Sequence, residues 1–383
     1  MAEILKSLGF MTGTSLDGLD CAILETDGES AIVHGPGECA PFDPALRGLL
    51  ERCVAEARAW NFEGAEPAIF AEAGEALTRA HADAAARLLD AAGMTPADID
   101  VIGFHGQTVL HRAPTAARIG ATRQIGDGAL LAELTGVDVV DDFRTADVAA
   151  GGHGAPLTPL YHAALISRDG FALPCAAFNL GGVANLTLVD ADGSVLAFDC
   201  GPANGPTDQW VRAHGAGLMD EGGALAAKGR LDAERLERLM ANPFFAARPP
   251  KSLDRYEFTH DMAEGLNLED GAALLTELAA AGVARGLAWA SAPPSAVVAM
   301  GGGRHNAALM DALARRCAPA RVIAAEDAGW RGDLIEAETF AWLAVRHLRG
   351  LPTTVPSTTG APAPIVGGVV HRAPSSSSAR LAG

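Results

Sequence analysis

A short strand, a turn of glycine and hydroxyl residues, and a second strand occur twice in this chain, about half its length apart. The first copy is Leu8-Gly9-Phe10-Met11-Thr12-Gly13-Thr14-Ser15 with a strand over 19–24. The second is Ala177-Phe178-Asn179-Leu180-Gly181-Gly182 with a strand over 184–189. Recurrence at that spacing predicts a duplicated fold with equivalent turns in its two halves. Two unrelated hairpins would read the same way, so the repeat alone does not separate the two cases.

The rest of the chain alternates strand and helix patterns, which predicts an α/β fold. Residues 67–93 read as a helix: Ile69, Phe70, Ala73, Leu77, Ala80, Ala84 and Leu88 recur at three- and four-residue spacing, and Gly93 stops it. Strands are expected at 101–104 and 137–140, with a short helix at 129–134. In the second half, strands are expected at 195–198 and 297–300 and helical segments at 207–240 and 262–291. A final helix at 337–348 carries Phe340, Leu343, Ala344 and His347 on one stripe. At about 150 residues per domain, 383 residues make two domains. We set an N-terminal lobe at 1–165, a C-terminal lobe at 166–371, and a disordered tail at 372–383 that contains Ser375-Ser376-Ser377-Ser378.

Composition narrows the function. Lys plus Arg is 29 and Asp plus Glu is 47, a net charge of -18. Such a surface repels phosphate backbones and argues against nucleic acid as a partner. A single nucleotide is not excluded, because backbone amides and Mg²⁺ bind its phosphates locally. The cysteines Cys21, Cys39, Cys53, Cys175, Cys200 and Cys317 have neither metal-site nor redox spacing and are expected to be buried free thiols of a reducing compartment. No basic segment leads into an apolar run at the N-terminus, and no run approaches about 20 apolar residues. The expectation is a cytoplasmic protein with no membrane partner.

Five motifs carry candidate chemistry. Gly13-Thr14-Ser15-Leu16-Asp17-Gly18 follows a strand; its glycines admit close approach of a phosphate, consecutive amides form an anion nest, and Asp17 or Asp20 can hold a water on Mg²⁺. It lacks the Gly-Lys-Ser/Thr ending of a Walker loop, and a small-residue hairpin turn competes with the phosphate reading. Asp199 ends a strand before Cys200-Gly201-Pro202-Ala203-Asn204, with Asp208 beyond; a general base and a turn cap fit it equally. His105-Gly106-Gln107-Thr108 follows the strand at 101–104 and offers hydrogen bonds to a polar ligand, although a lone turn histidine is more often structural. Gly301-Gly302-Gly303 at a strand end exceeds what a tight turn needs. Glu336 and Glu338, entering the last helix, read by default as surface caps. Two glycine turns for phosphates, a strand-end carboxyl and a glycine turn for a nucleoside make up what phosphoryl transfer requires.

These residues resemble a known family. Gly-Phe-Met-Thr-Gly-Thr-Ser-Leu-Asp-Gly-Leu-Asp (9–20), Gly-Phe-His-Gly-Gln-Thr (103–108), Gln-Ile-Gly-Asp (124–127), Asp-Phe-Arg (142–144), Ala-Gly-Gly-His-Gly-Ala-Pro-Leu (150–157), Asn-Leu-Gly-Gly-Val-Ala-Asn (179–185), Phe-Asp-Cys-Gly-Pro-Ala-Asn (198–204) and Ala-Met-Gly-Gly-Gly (299–303) are similar, in order, to the anhydro-N-acetylmuramic acid kinases. The similarity spans about residues 7–371. It implies a duplicated actin/hexokinase-like (ribonuclease H-like) fold with two lobes around an ATP-binding cleft, ATP and Mg²⁺, a small sugar substrate and a homodimer. It implies a double reaction in cell-wall recycling: water opens the 1,6-anhydro ring of anhydro-N-acetylmuramic acid, and the freed O6 takes the γ-phosphate. Asp199 matches the base for that water. Gly13 to Gly18 match the ATP phosphate loop, Gly181, Gly182 and Gly301 to Gly303 the other nucleotide turns, and Glu336 a sugar contact. His105, Gln107, Thr108, Arg144 and Asn204 fall at substrate-binding positions. The chain departs from the pattern where only Arg144 stands for three arginines, followed by Thr145-Ala146, and at His153 and Ala203. Two alternatives follow: a kinase for another amino sugar, or a non-catalytic actin-like ATP-driven switch.

Overall fold

The computed structural model describes residues 3–115, 118–253 and 257–374. The serine-rich tail expected to be disordered lies, beyond residue 374, outside the described residues. The chain divides into two compact units, Met1–Arg168 with Leu334–Gly383, and Asp169–Asp333. The division at 165/166 had assigned 334–371 to the second lobe; that segment packs in unit 1 instead.

Unit 1 is built on β1 (Leu5–Thr12), β2 (Gly18–Thr26), β3 (Ile32–Pro41), β4 (Val101–Arg112), β5 (Ala121–Ile125), β6 (Val139–Asp141) and β12 (Val369–His371). The order is β3-β2-β1-β4-β6-β12, with β5 on β4. β1, β2 and β3 are antiparallel, while β4 runs parallel to β1 and β6 parallel to β4. Unit 2 holds β7 (Cys175–Leu180), β8 (Val183–Val189), β9 (Val195–Pro202), β10 (Ala296–Met300) and β11 (Arg321–Ala324), in the order β9-β8-β7-β10-β11. There too three antiparallel strands are followed by two parallel ones. With β5 and β12 set aside as additions to the first sheet, both sheets run 3-2-1-4-5 in chain order, so the repeated hairpins are the first two strands of a duplicated ribonuclease H-like unit.

Each sheet is covered by helices that bury an apolar stripe. Helix Ile69–Ala91 buries Phe70, Ala73, Leu77, Ala84 and Leu88 as the spacing predicts. It also buries His81, which bonds the Leu77 carbonyl at 2.8 Å and meets Phe10 and Phe104 edge-on. Burial lowers this histidine's pKa to about 4, so it is a neutral core residue. Helix Ile335–Leu348 lies against β1 and β4 because two strand glycines make room. A Cβ at Gly9 would strike the Ala337 carbonyl, and one at Gly103 the Phe340 carbonyl. That close fit is why the last helix belongs to unit 1.

The helical segments expected over 207–240 include Asn204–Ala213 and Ala233–Met240, separated by turns in which Gly215, Gly217, Gly222 and Gly223 have positive φ. Two further expectations change. Glu338 is not a surface cap but fully buried, accepting a hydrogen bond from the Tyr161 hydroxyl at 2.8 Å. Cys39 is exposed, whereas the other five cysteines are buried. Among the described residues, no helix is long and apolar enough to cross a membrane.

Candidate active site

In unit 1 the β1–β2 turn is held from beneath. Leu16 has φ +56° and its amide donates to the Gly13 carbonyl at 3.2 Å. Gln107 Nε2 donates to the same carbonyl at 3.2 Å, and the Thr12 hydroxyl to the Gly106 carbonyl at 3.0 Å. Thr14, Ser15 and Asp17 are exposed at the tip, with the Ser15 hydroxyl donating to Asp17 at 2.8 Å. Gly18 is fixed by packing, since a Cβ there would strike the Ala40 carbonyl.

His105, Gln107 and Thr108 do not follow β4; they lie within it. The strand continues to Arg112 by bending at Gly106 (φ +68°) and pairing with β5. All three side chains engage protein groups. Thr108 accepts from Gln124 at 3.1 Å, and Gln107 supports Gly13. His105 is 4% exposed, with its Nε2 accepting from Arg144 Nε at 3.0 Å. Burial, then the nearby Arg144 charge, hold His105 well below its usual pKa, consistent with a neutral acceptor.

Arg144 also donates from Nη1 to the Gly154 carbonyl at 2.7 Å. Burial lowers its pKa to about 10, opposed by the charges of Glu336 and Asp147. Glu336 enters the last helix half-buried. Burial pushes its carboxyl upward, Arg144 opposes that, and Asp20 and Asp17 add to it. Asp17, Asp20, Arg144 and Glu336 are therefore one electrostatic cluster, assembled from residues more than 300 positions apart in the sequence. Beside it, His105, Thr122, Gln124, Asp142 and Thr145 help line a cavity of about 300 Å³.

Unit 2 gathers the second set. Gly181-Gly182 forms the β7–β8 turn, and Gly301 to Gly303 leave β10, the parallel neighbour of β7, with Met300 opposite Asn179. Asn204 lies between the two turns, donating to the Leu180 carbonyl at 3.1 Å and the Gly181 carbonyl at 3.3 Å. A Cβ at Gly303 would meet Leu180 and Asn204, and Gly301 needs φ +73°, whereas a Cβ at Gly302 would meet nothing within 4 Å. The first and third glycines thus fit the turn together, and the second faces open space.

Asp199 lies inside β9, which runs on to Pro202, and not at a strand end. Its Oδ1 accepts from the Asn185 amide across the sheet, and its Oδ2 from the Leu253 backbone N–H at 2.7 Å. Neither is a cap bond, so the capping alternative falls away. Burial raises its pKa to about 6, with the Leu253 and Asn185 hydrogen bonds and the Lys251 charge opposing. The Lys251 ammonium is itself engaged, donating to the Phe244 carbonyl at 2.6 Å and lying 4.3 Å from the Phe244 ring centroid. Lys251 and Leu253 had no sequence signal, lying in an aperiodic stretch after Pro249-Pro250. Asn185 was visible only as part of a motif.

A strand order of 3-2-1-4-5 in the five main strands of each sheet, with glycine turns closing β7 and β10, defines a duplicated actin/hexokinase-like fold. Comparison with known sequences gives the family. The anhydro-N-acetylmuramic acid kinase family matches residues 5–373, and the chain belongs to this family of sugar kinases. It is 52% identical over 363 residues to the anhydro-N-acetylmuramic acid kinase of Brucella anthropi, covering 94% of this chain and 98% of that one. The kinase of the same name from Rhizobium rhizogenes is 51% identical over 367 residues, covering 96% and 99%. That from Caulobacter vibrioides is 51% identical over 364 residues, covering 95% and 98%. Among solved structures, the ROK hexokinase from Thermus thermophilus aligns over 89% of this chain and 99% of its own, at 19% identity and a TM-score of 0.36. At that score the two superpose only loosely, and the assignment rests on the sequence matches.

Proposed function

We propose that this kinase uses ATP to open the 1,6-anhydro ring of anhydro-N-acetylmuramic acid with water and phosphorylate the freed O6, giving N-acetylmuramic acid 6-phosphate for cell-wall recycling. The observation that carries the reading is Asp199: a carboxyl raised to about 6 that is oriented by two neutral donors. At pH 7 it is mostly ionised yet retains proton affinity, as a general base needs. It takes a proton from the water that attacks the anomeric carbon. The C1–O6 bond breaks, and O6 leaves toward the γ-phosphorus of ATP, where phosphoryl transfer consumes its negative charge.

The other groups take binding roles. Gly13, Thr14, Ser15, Gly181 and Gly182 meet phosphates, and the open face at Gly302 receives the nucleoside. Arg144 presents its guanidinium to the substrate's carboxylate, and Glu336 accepts a sugar hydroxyl. His105 acts by supporting Arg144 and Gln107 by supporting the phosphate turn, while Thr108 holds Gln124 beside them. Mg²⁺ is held largely by substrate phosphates and water, and the exposed Asp17 at the tip of the phosphate turn would be its protein carboxylate. Mg²⁺ would supply charge neutralisation at the transferring phosphoryl group. A cytoplasmic homodimer completes the reading.

The test is product mass after incubation with ATP, Mg²⁺ and the anhydro-sugar. One added water and one phosphoryl group on the same molecule are expected. ATP hydrolysis at the same rate with and without sugar would instead support a switch protein, and faster turnover of another amino sugar would move the substrate.

A further inference from the structure

Asp147 has no role in the reading above, yet it is fully buried and accepts three strong hydrogen bonds. Its Oδ1 takes the Gly154 amide at 2.7 Å. Its Oδ2 takes the Thr354 and Thr359 hydroxyls, each at 2.6 Å, from a segment more than 200 residues away. The loop is shaped around this carboxylate. A Cβ at Gly152 would strike Oδ1, and Gly154 has φ +69°. The His153 amide reaches the Thr359 carbonyl at 2.7 Å, a second tie to the same segment.

The loop so held grips Arg144. Gly154 offers its amide to Asp147 and its carbonyl to Arg144 Nη1, so one peptide residue links the two side chains. With Nε on His105, two of the three guanidinium nitrogens are committed, and Nη2 donates to no described residue. Nε and Nη1 hold the guanidinium in place, and Nη2 is left to a ligand. An arginine bound to nothing loses much more rotamer freedom on meeting a carboxylate than one already fixed.

We propose that Asp147 is a positioning residue for Arg144: by anchoring Gly154 to Thr354 and Thr359, it fixes the guanidinium that receives the substrate's carboxylate. The inference rests on the assignment of Arg144 to that carboxylate. It makes the C-terminal segment a determinant of sugar affinity, although Thr354 and Thr359 touch no substrate in this account.

The experiment is a double-mutant cycle on the full-length enzyme, with KM measured separately for the anhydro-sugar and for ATP. Arg144→Ala and Asp147→Ala should each raise the sugar KM by about tenfold or more while leaving the ATP KM within about twofold. The double variant should be no worse than Arg144→Ala alone, within about twofold, because Asp147 has nothing left to position. Asp147→Asn keeps an acceptor for Gly154 and a donor for a threonine oxygen, and should recover most of the loss. If Asp147→Ala does not fold, Thr359→Val enters the same cycle. Losses that multiply, or a parallel rise in the ATP KM, overturn the positioning role while leaving Arg144's assignment intact. An unchanged sugar KM in Arg144→Ala removes that assignment and the inference with it.

Discussion

The two units share a strand order and differ in where they put glycine and where they put charge. In unit 1 the glycines are in the sheet, at Gly9 and Gly103, and helix Ile335–Leu348 rests its backbone on them. In unit 2 they are in the covering helix Leu268–Leu287, where a Cβ at Gly282 would lie 2.9 Å from the Cys200 carbonyl and one at Gly286 3.0 Å from Cys200 Cβ. Either choice brings helix and sheet together, but the consequence for side chains differs. A sheet of glycines lets the helix carry the functional carboxyl, Glu336; a helix of glycines lets the sheet carry it, at Asp199. Burial pushes both carboxyls upward. Glu336 feels the charge of the Arg144 guanidinium, while Asp199 is hydrogen-bonded by uncharged donors and sits near a lysine whose ammonium is engaged elsewhere. A carboxyl beside a fixed cation is suited to binding, and one with neutral donors is suited to moving a proton.

The contrast breaks most visibly at Asp199. Asp199→Asn should lower kcat by about a thousandfold with ATP binding retained, as followed by steady-state rates and calorimetric titration. Near-normal turnover would make Asp199 structural and leave unit 2 without its base. The packing half of the contrast is tested by Gly103→Ala, which should cost about 1–3 kcal/mol in denaturant unfolding, because the methyl meets backbone and not a movable side chain. A neutral outcome there would mean that the last helix is not seated by strand glycine.

A third measurement sharpens the electrostatic half. Since the pKa of Asp199 is raised, its base form is lost as pH falls through about 6, and kcat/KM should drop about tenfold per unit below that point. Asn185→Ala removes a donor that favours the ionised form, so the limb should move to higher pH. A limb that stays in place would assign the titration to another group. The smallest effect is expected at Gly302→Ala. The added methyl meets nothing, so unfolding stability should stay within about 0.5 kcal/mol, and any loss should appear in the KM for ATP.

Much of this was legible in the sequence where side chains carry a periodic signal. The hairpins of both units and helix Ile69–Ala91 declare themselves by apolar spacing. β3 did not, because it holds Gly35, Pro36 and Gly37 and is exposed along much of its length. Helix Pro44–Trp60 was missed despite a readable start, in which Asp43 caps the Ala45 amide at 2.8 Å ahead of Pro44. The polar run after Phe104 reads as a strand end because buried polar residues leave no apolar pattern; their partners are set by β5 and Arg144. Glu336 and Glu338 read as surface for the same reason. In the site, the motifs pointed to Asp199, but the donors that orient it include a backbone amide at Leu253, and any residue type except proline can supply one. Asp147 gave no signal, since what defines it is three partners distant in sequence or backbone in kind.

Unit 2 is an insertion in the sequence of unit 1, and this orders events during synthesis. A chain emerging from its N-terminus completes Asp169–Asp333 first. All strands of that second sheet are then present, while the first sheet, although older, still lacks helix Ile335–Leu348 and β12. Until residue 348 has been made, the face of β1 and β4 around Gly9 and Gly103 has no cover, and Arg144 has no Glu336 beside it. The half of the enzyme translated first is thus the half finished last, and a ribosome that stops early leaves the younger unit whole and the older one open.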